Sequence, residues 1–176
     1  MATKISFALS ASSAQNAIKE VEMYKNRLNV KCEKLCRELI NLGYNTAVQK
    51  ISESSIGRTI TLRCEVAPSQ VGCKAILIAV GQTKQAEGYE PVNSLLLVEF
   101  GAGIHYNPVP NPIADKFGMG VGTFPDQTHA FDDKGWYFLG DDDKWHHSYG
   151  VKATMPMYNA AQAMKNQIYE IAKGIF

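Results

Sequence analysis

Three carboxylates, Asp141, Asp142 and Asp143, stand a few residues ahead of two imidazoles, His146 and His147. Carboxylate and imidazole are common ligands for zinc, manganese or iron. A small metal-dependent hydrolase would use Asp141, Asp143, His146 and His147 in that way. The spacing fits no specific template, however. It is neither the His-Glu-x-x-His helix of zinc proteases nor an EF-hand loop, which needs Gly at its sixth position and Glu at its twelfth. A solvated hairpin turn accounts for the same residues more simply, because Asp and Gly accept turn geometry. No metal or cofactor is therefore expected.

Other reactive residues are weaker candidates. Cys32 and Cys36 share one helix face and with a histidine could bind zinc, but buried cysteines need no such role. No Gly-x-Ser-x-Gly elbow is present. Gly118-Met119-Gly120-Val121-Gly122 lacks the Lys-Ser/Thr ending of a phosphate loop, and His105 and His129 stand alone. Glu99 ends an apolar run. It reads either as a buried carboxylate with a raised pKa or, the favoured reading, as a strand-end acid paired with a Lys or Arg of the same or an adjacent subunit.

The stretch 135–158 also holds both tryptophans and three of the eight tyrosines. Trp136, Tyr137, Trp145, Tyr149 and Tyr158 have the character of a protein–protein contact, offering large apolar area with a polar tip. The segment is either a site or a docking hairpin.

The elements that must position these residues follow from pattern. A chain of 176 residues is most simply one domain, 1–176, long enough to bury about 70% of its unfolded surface. Apolar residues make up 45% and charged residues 20%, an ordinary globular balance. The net charge of +1 gives no reason to expect long-range attraction to nucleic acid or to an anionic membrane, and neither a membrane nor a sequence-specific nucleic-acid partner is expected. No apolar run approaches the ~20 residues of a membrane span, and the start lacks a leader, so the protein is expected to stay where it is made. The cysteines suit reduced thiols better than a disulfide scaffold.

Residues 1–11 alternate as a short strand would. Ser12 with Gln15 fits a capping box, and apolar residues at 18, 21, 28, 32, 35, 39 and 42 predict one long amphipathic helix that stops at Gly43. Its spacing is coiled-coil-like, but Lys25 interrupts the seam, and packing on the chain's own sheet is the favoured reading. Part of so long a rod is available to a neighbouring subunit. Strands are predicted over 44–51, over 59–66 with one wet face, over 74–80 as a central strand covered on both faces, and over 94–100. Residues 82–92 read as loop. A long Gly/Pro-rich insertion over 101–134 reads as functional or ordered by a partner. Residues 136–139 and 145–148 form a hairpin, and Pro156 opens a helix with a stripe of Met157, Ala160, Ala161, Met164, Ile168 and Ile171. The fold class is α+β, an antiparallel sheet of about four to six strands packed with a long N-terminal and a C-terminal helix.

Three pieces stand in a recognisable order: Leu97-Val98-Glu99-Phe100-Gly101-Ala102-Gly103, then Gly135-Trp136-Tyr137 leading to Trp145-His146-His147-Ser148-Tyr149-Gly150, then Met155-Pro156-Met157-Tyr158-Asn159-Ala160-Ala161. With the long N-terminal helix, this order resembles the HK97 gp10-like family of tailed-phage proteins, in its form from phages of Gram-positive hosts. The resemblance implies a non-enzymatic virion protein, the tail completion or head–tail joining component of the neck. Such a protein forms a homo-oligomeric ring, commonly sixfold, between head connector and tail. Its partners would be head-completion, tail terminator or tail tube proteins, with DNA passing through the ring. Its location would be the virion neck, and the host cytoplasm during assembly. The insertion departs from the family pattern. Interface residues expected on this reading are Glu99, Phe100, Trp136, Tyr137, Trp145, His146, Tyr149, Pro156, Met157 and Tyr158.

Overall fold

The computed structural model describes residue 8 and residues 10–69, 72–84, 91–103, 111–117, 132–140 and 142–176. The expected strand near the N-terminus and the glycine run at 118–122 lie outside these, as do His105, His129 and Asp141.

Helix α1 runs Ala11–Ser52. Its N-cap is Ser10, whose hydroxyl accepts from the Ser13 N–H at 3.3 Å, in place of the Ser12–Gln15 box. At 42 residues it is a rod of about 63 Å, and it passes straight through Gly43. The expected strand over 44–51 is its final two turns. Ile40, Gly43, Ala47 and Ile51 are buried, and their helical spacing places them on one face. Gly43 is small because another helix lies on it: a Cβ there would sit 2.8 Å from the Sδ of Met164. That partner is α3, Pro156–Ile175. The two run antiparallel, since Gly43 meets Met164 while Lys31 Nζ donates to the Phe176 carbonyl at 3.2 Å and lies over its ring. Residues 11–30 of α1 extend about 30 Å past the Lys31–Phe176 contact, an overhang on which Ile18, Val21 and Leu28 are exposed.

Strands β1 (Ile60–Ser69) and β2 (Gly72–Gly81) form an antiparallel hairpin in a register that runs from Ile60 opposite Gly81 to Ser69 opposite Gly72. Ile60, Leu62 and Val66 with Ala75, Leu77 and Ala79 make the half-buried face turned toward α1. Thr61, Arg63 and Glu65 are exposed on the other face, as expected. Ile76 and Val80 are exposed there too, so β2 is covered on one face and not on both. After it, β3 (Thr83–Lys84) pairs with β4 (Val92–Asn93) inside the expected loop.

Residues 94–100 are not a strand. They form helix α2, Ser94–Phe100, whose N-cap Asn93 accepts from the Leu95 N–H at 2.9 Å and which closes at Gly101 with φ 79°. Beyond it Ala102 pairs with Val151, and Ala114–Phe117 makes a short 3-10 turn inside the expected insertion. Strands β5 (Trp136–Leu139) and β6 (Trp145–Ser148) form the expected hairpin. The fold is thus mixed helix and sheet with long helices at both ends. In place of one sheet of four to six strands, the described residues form three separate two-stranded sheets, each made of neighbours along the chain. The buried apolar core gathers the C-terminal half of α1, the end of α2 and the start of α3, with Ile40, Ala47, Val98, Phe100 and Ala160 inside.

Candidate functional site

The ten expected interface residues fall into two places. Glu99, Phe100, Pro156, Met157 and Tyr158 meet where α2 touches the start of α3, and Trp136, Tyr137, Trp145, His146 and Tyr149 lie on the β5–β6 hairpin.

The first place is a buried joint. Pro156 opens α3, where a missing N–H is no loss, but the next N–H groups have no partner inside the helix. Met155, at the N-cap position, is in the left-handed conformation with φ 51° and makes no side-chain cap bond. Glu99 replaces it from another helix. Its Oε2 accepts from the Met157 N–H at 2.9 Å, and its Oε1 accepts from the Tyr158 N–H at 3.0 Å and from Asn111 Nδ2 at 3.0 Å. A carboxylate here also faces the positive end of the helix dipole. Backbone bonds from Thr154 (2.9 Å) and Met155 (3.3 Å) to the Val98 carbonyl complete the attachment.

Glu99 is only 6% exposed and, among the described residues, takes these amide donors as partners and not the Lys or Arg that the sequence suggested. Burial pushes its carboxyl above the ordinary carboxylate range, and the three donors, pulling down, do not fully cancel that. Phe100 is buried beside it, its ring 5.5 Å from that of Phe117. An open cleft of about 350 Å³ adjoins the joint, lined in part by Lys50, Lys152, Thr154 and Tyr158. The two helix N–H groups that an anion would seek there are already taken by Glu99.

Asn111 went unnoticed in the sequence. Its carbonyl accepts from the Ile113 N–H at 3.0 Å while its amide reaches Glu99, so one side chain shapes a turn and braces the joint. The Asn-Pro pair at 111–112 is a turn signal that marks the position.

The second place is an exposed aromatic ribbon. Tyr137 lies opposite His147 and Phe138 opposite His146, so the consecutive histidines point to opposite faces. On one face the His147 ring lies between Tyr137, tilted at 4.8 Å, and Tyr149, edge-on at 4.5 Å. Its Nε2 lies 2.7 Å from the Lys134 carbonyl, which can only accept, so that nitrogen carries the proton. On the other face His146 stacks on Phe138, and its Nε2 donates to Asp142 Oδ1 at 2.8 Å. This bond, first among several causes, holds the Asp142 carboxyl below its ordinary range. Tyr137 is 68% and Trp145 70% exposed, while Trp136 is half-buried.

Both imidazoles thus spend Nε2 as donors, and strand alternation keeps them apart. Among the described residues no three His, Cys, Asp or Glu side chains converge in an arrangement able to hold a metal ion, and no helix is long and apolar enough to cross a membrane. Comparison of the chain with models of known families, with curated proteins and with solved structures yields no match.

Proposed function

We propose that this chain is a structural virion protein of a tailed bacteriophage, a tail completion or head–tail joining component that assembles as a homo-oligomeric ring between connector and tail. The ordered motif set at 97–103, 135–150 and 155–161 supports the reading. The observation that carries it is the amount of apolar surface the single chain leaves uncovered on elements with a defined shape. The α1 overhang exposes Ile18, Val21, Tyr24 and Leu28 along one side, with Met23 and Val30 on the other, and the hairpin exposes Tyr137, Trp145 and Tyr149 on one face and Phe138 on the opposite one. Contiguous exposed apolar surface marks a contact with another macromolecule. Two such surfaces on different parts of one subunit suit head-to-tail contacts, in which each copy offers one patch and receives another.

In this reading the buried joint sets how the hairpin is carried relative to α3, and the contacts belong to the overhang and the ribbon. Phage lacking the gene would accumulate filled heads and free tails, and supplying the protein in trans would restore joined, infectious particles. Joined particles forming at normal yield without the protein would overturn the proposal. Replacing Tyr137 and Trp145 together by Ser would leave the subunit folded and abolish joining.

A further inference from the structure

Two neighbouring thiols of α1 meet a third, distant in sequence, where the helix passes the turn end of the β1–β2 hairpin. Cys32 and Cys36 are one helical turn apart on α1, and Cys73 is the second residue of β2, in register with Pro68. Cys73 has the same strand parity as Ala75 and Leu77, which puts it on the face turned toward the helix. Cys36 Sγ donates to the Cys73 carbonyl at 3.5 Å, while the Cys73 thiol donates to the Ala67 carbonyl at 3.4 Å, a bond it must give up to meet Cys36. Both residues are half-buried, and all four cysteines are free thiols. Cys64 lies opposite Leu77, exposed, with no thiol across the ladder.

We propose that Cys36 and Cys73 are a dithiol site that a low-molecular-weight disulfide such as glutathione disulfide closes into an intramolecular bond, fastening the hairpin to α1. Burial, first among several causes, pushes the Cys36 thiol up and disfavours its thiolate, and the proposal gives Cys36 the second, resolving step. The Cys73 thiolate displaces one glutathione thiolate and forms a mixed disulfide. The Cys36 thiolate then attacks the Cys73 sulfur and displaces the second. Two protein thiols are oxidised, one glutathione disulfide is reduced to two thiols, and both protons leave with them. The loop closed spans 37 positions, so oxidation should raise the melting midpoint by roughly 5–15 °C. This inference does not depend on the assembly reading, and neither fails with the other.

The test is whole-protein mass spectrometry of the full chain after exposure to glutathione disulfide, followed by non-reducing peptide mapping and a thermal melt. The expected result is a loss of about 2 Da, a bond mapped to Cys36 and Cys73, and a higher midpoint that a reductant reverses. Cys32→Ser and Cys64→Ser should behave like the unmodified chain. Cys73→Ser should give no internal bond, and Cys36→Ser should stop at the mixed disulfide on Cys73. A map that joins Cys36 to Cys32 or Cys64, four thiols surviving the treatment, or an unchanged midpoint would overturn the proposal. The map of the unsubstituted chain decides the matter even where a variant fails to fold.

Discussion

Replacing Glu99 by Ala removes one acceptor that three donors share. Two of those donors are first-turn N–H groups of α3, and the third is the Asn111 amide, all within 3.0 Å of the carboxylate. Ala leaves them facing a buried space with nothing to accept their protons. A stranded buried donor costs about 1–3 kcal/mol, but the variant also no longer buries a carboxylate, which is unfavourable in itself. Taking the low end for each donor to reflect that offset gives a net loss of about 3 kcal/mol. For a chain of 176 residues this corresponds to a midpoint lower by about 6–12 °C. Thermal unfolding at neutral pH, followed by far-ultraviolet circular dichroism, measures it directly. A drop of less than about 2 °C would refute the idea that the carboxylate holds the joint.

The pH dependence of the same group has a definite sign. With its carboxyl raised by burial, the folded chain keeps the Glu99 proton to a higher pH than the unfolded chain does. The stability this contributes is complete below the ordinary carboxylate range and is lost as pH rises through the raised value. Glu99→Gln, which cannot ionise, lacks this slope. The midpoint difference between the two proteins should therefore favour Glu99 most at acid pH and move toward the Gln variant as pH rises.

Three further outcomes follow from the geometry. Gly43→Leu should cost about 2–4 kcal/mol, because its side chain would meet Met164 at the α1–α3 crossing, and Met164→Ala should recover part of that loss in a double-mutant cycle by urea unfolding. Gly150→Ala should destabilise by about 3 kcal/mol or more, since φ is 114° and the new Cβ would overlap the Ala102 carbonyl; loss of amide protection at Val151 reads it out. His146→Ala should return the Asp142 carboxyl toward its ordinary range, visible by nuclear magnetic resonance titration, with the chain's midpoint nearly unchanged because the pair is exposed.

The parts of this fold readable from sequence were those whose signal is local. Alternation at 60–66 gave β1, aromatic runs flanking Gly140 and the aspartates gave the β5–β6 hairpin, and Pro156 ahead of an apolar stripe gave α3. Two differences have separate causes. Gly43 looked like a helix terminus because small size and left-handed backbone are met by the same residue, and only the packing of Met164 shows that size is what matters there. The run at 94–100 is too short for periodicity to separate strand from helix, while its deciding mark, Asn93 as an N-cap, is one residue outside it. The predicted sheet failed with them, since two of its strands were these segments. For the candidate site, the aromatic ribbon was legible by composition. The joint was not, because Glu99 and α3 are brought together by tertiary packing, and Asn111 offered only a turn signal.

The tie from Glu99 to Met157 spans 58 positions, and it is made by main-chain N–H groups that any sequence would present at that helix start. Everything between, the 3-10 turn and the aromatic ribbon included, is a closed excursion whose two ends are pinned within a few ångströms of each other. Closure entropy grows only logarithmically, so doubling the length of such an excursion costs about 0.6 kcal/mol. An insertion in this excursion that leaves Asn111 and the Ala102–Val151 pair in place is therefore expected to cost the joint little, which urea unfolding of the lengthened chain would measure.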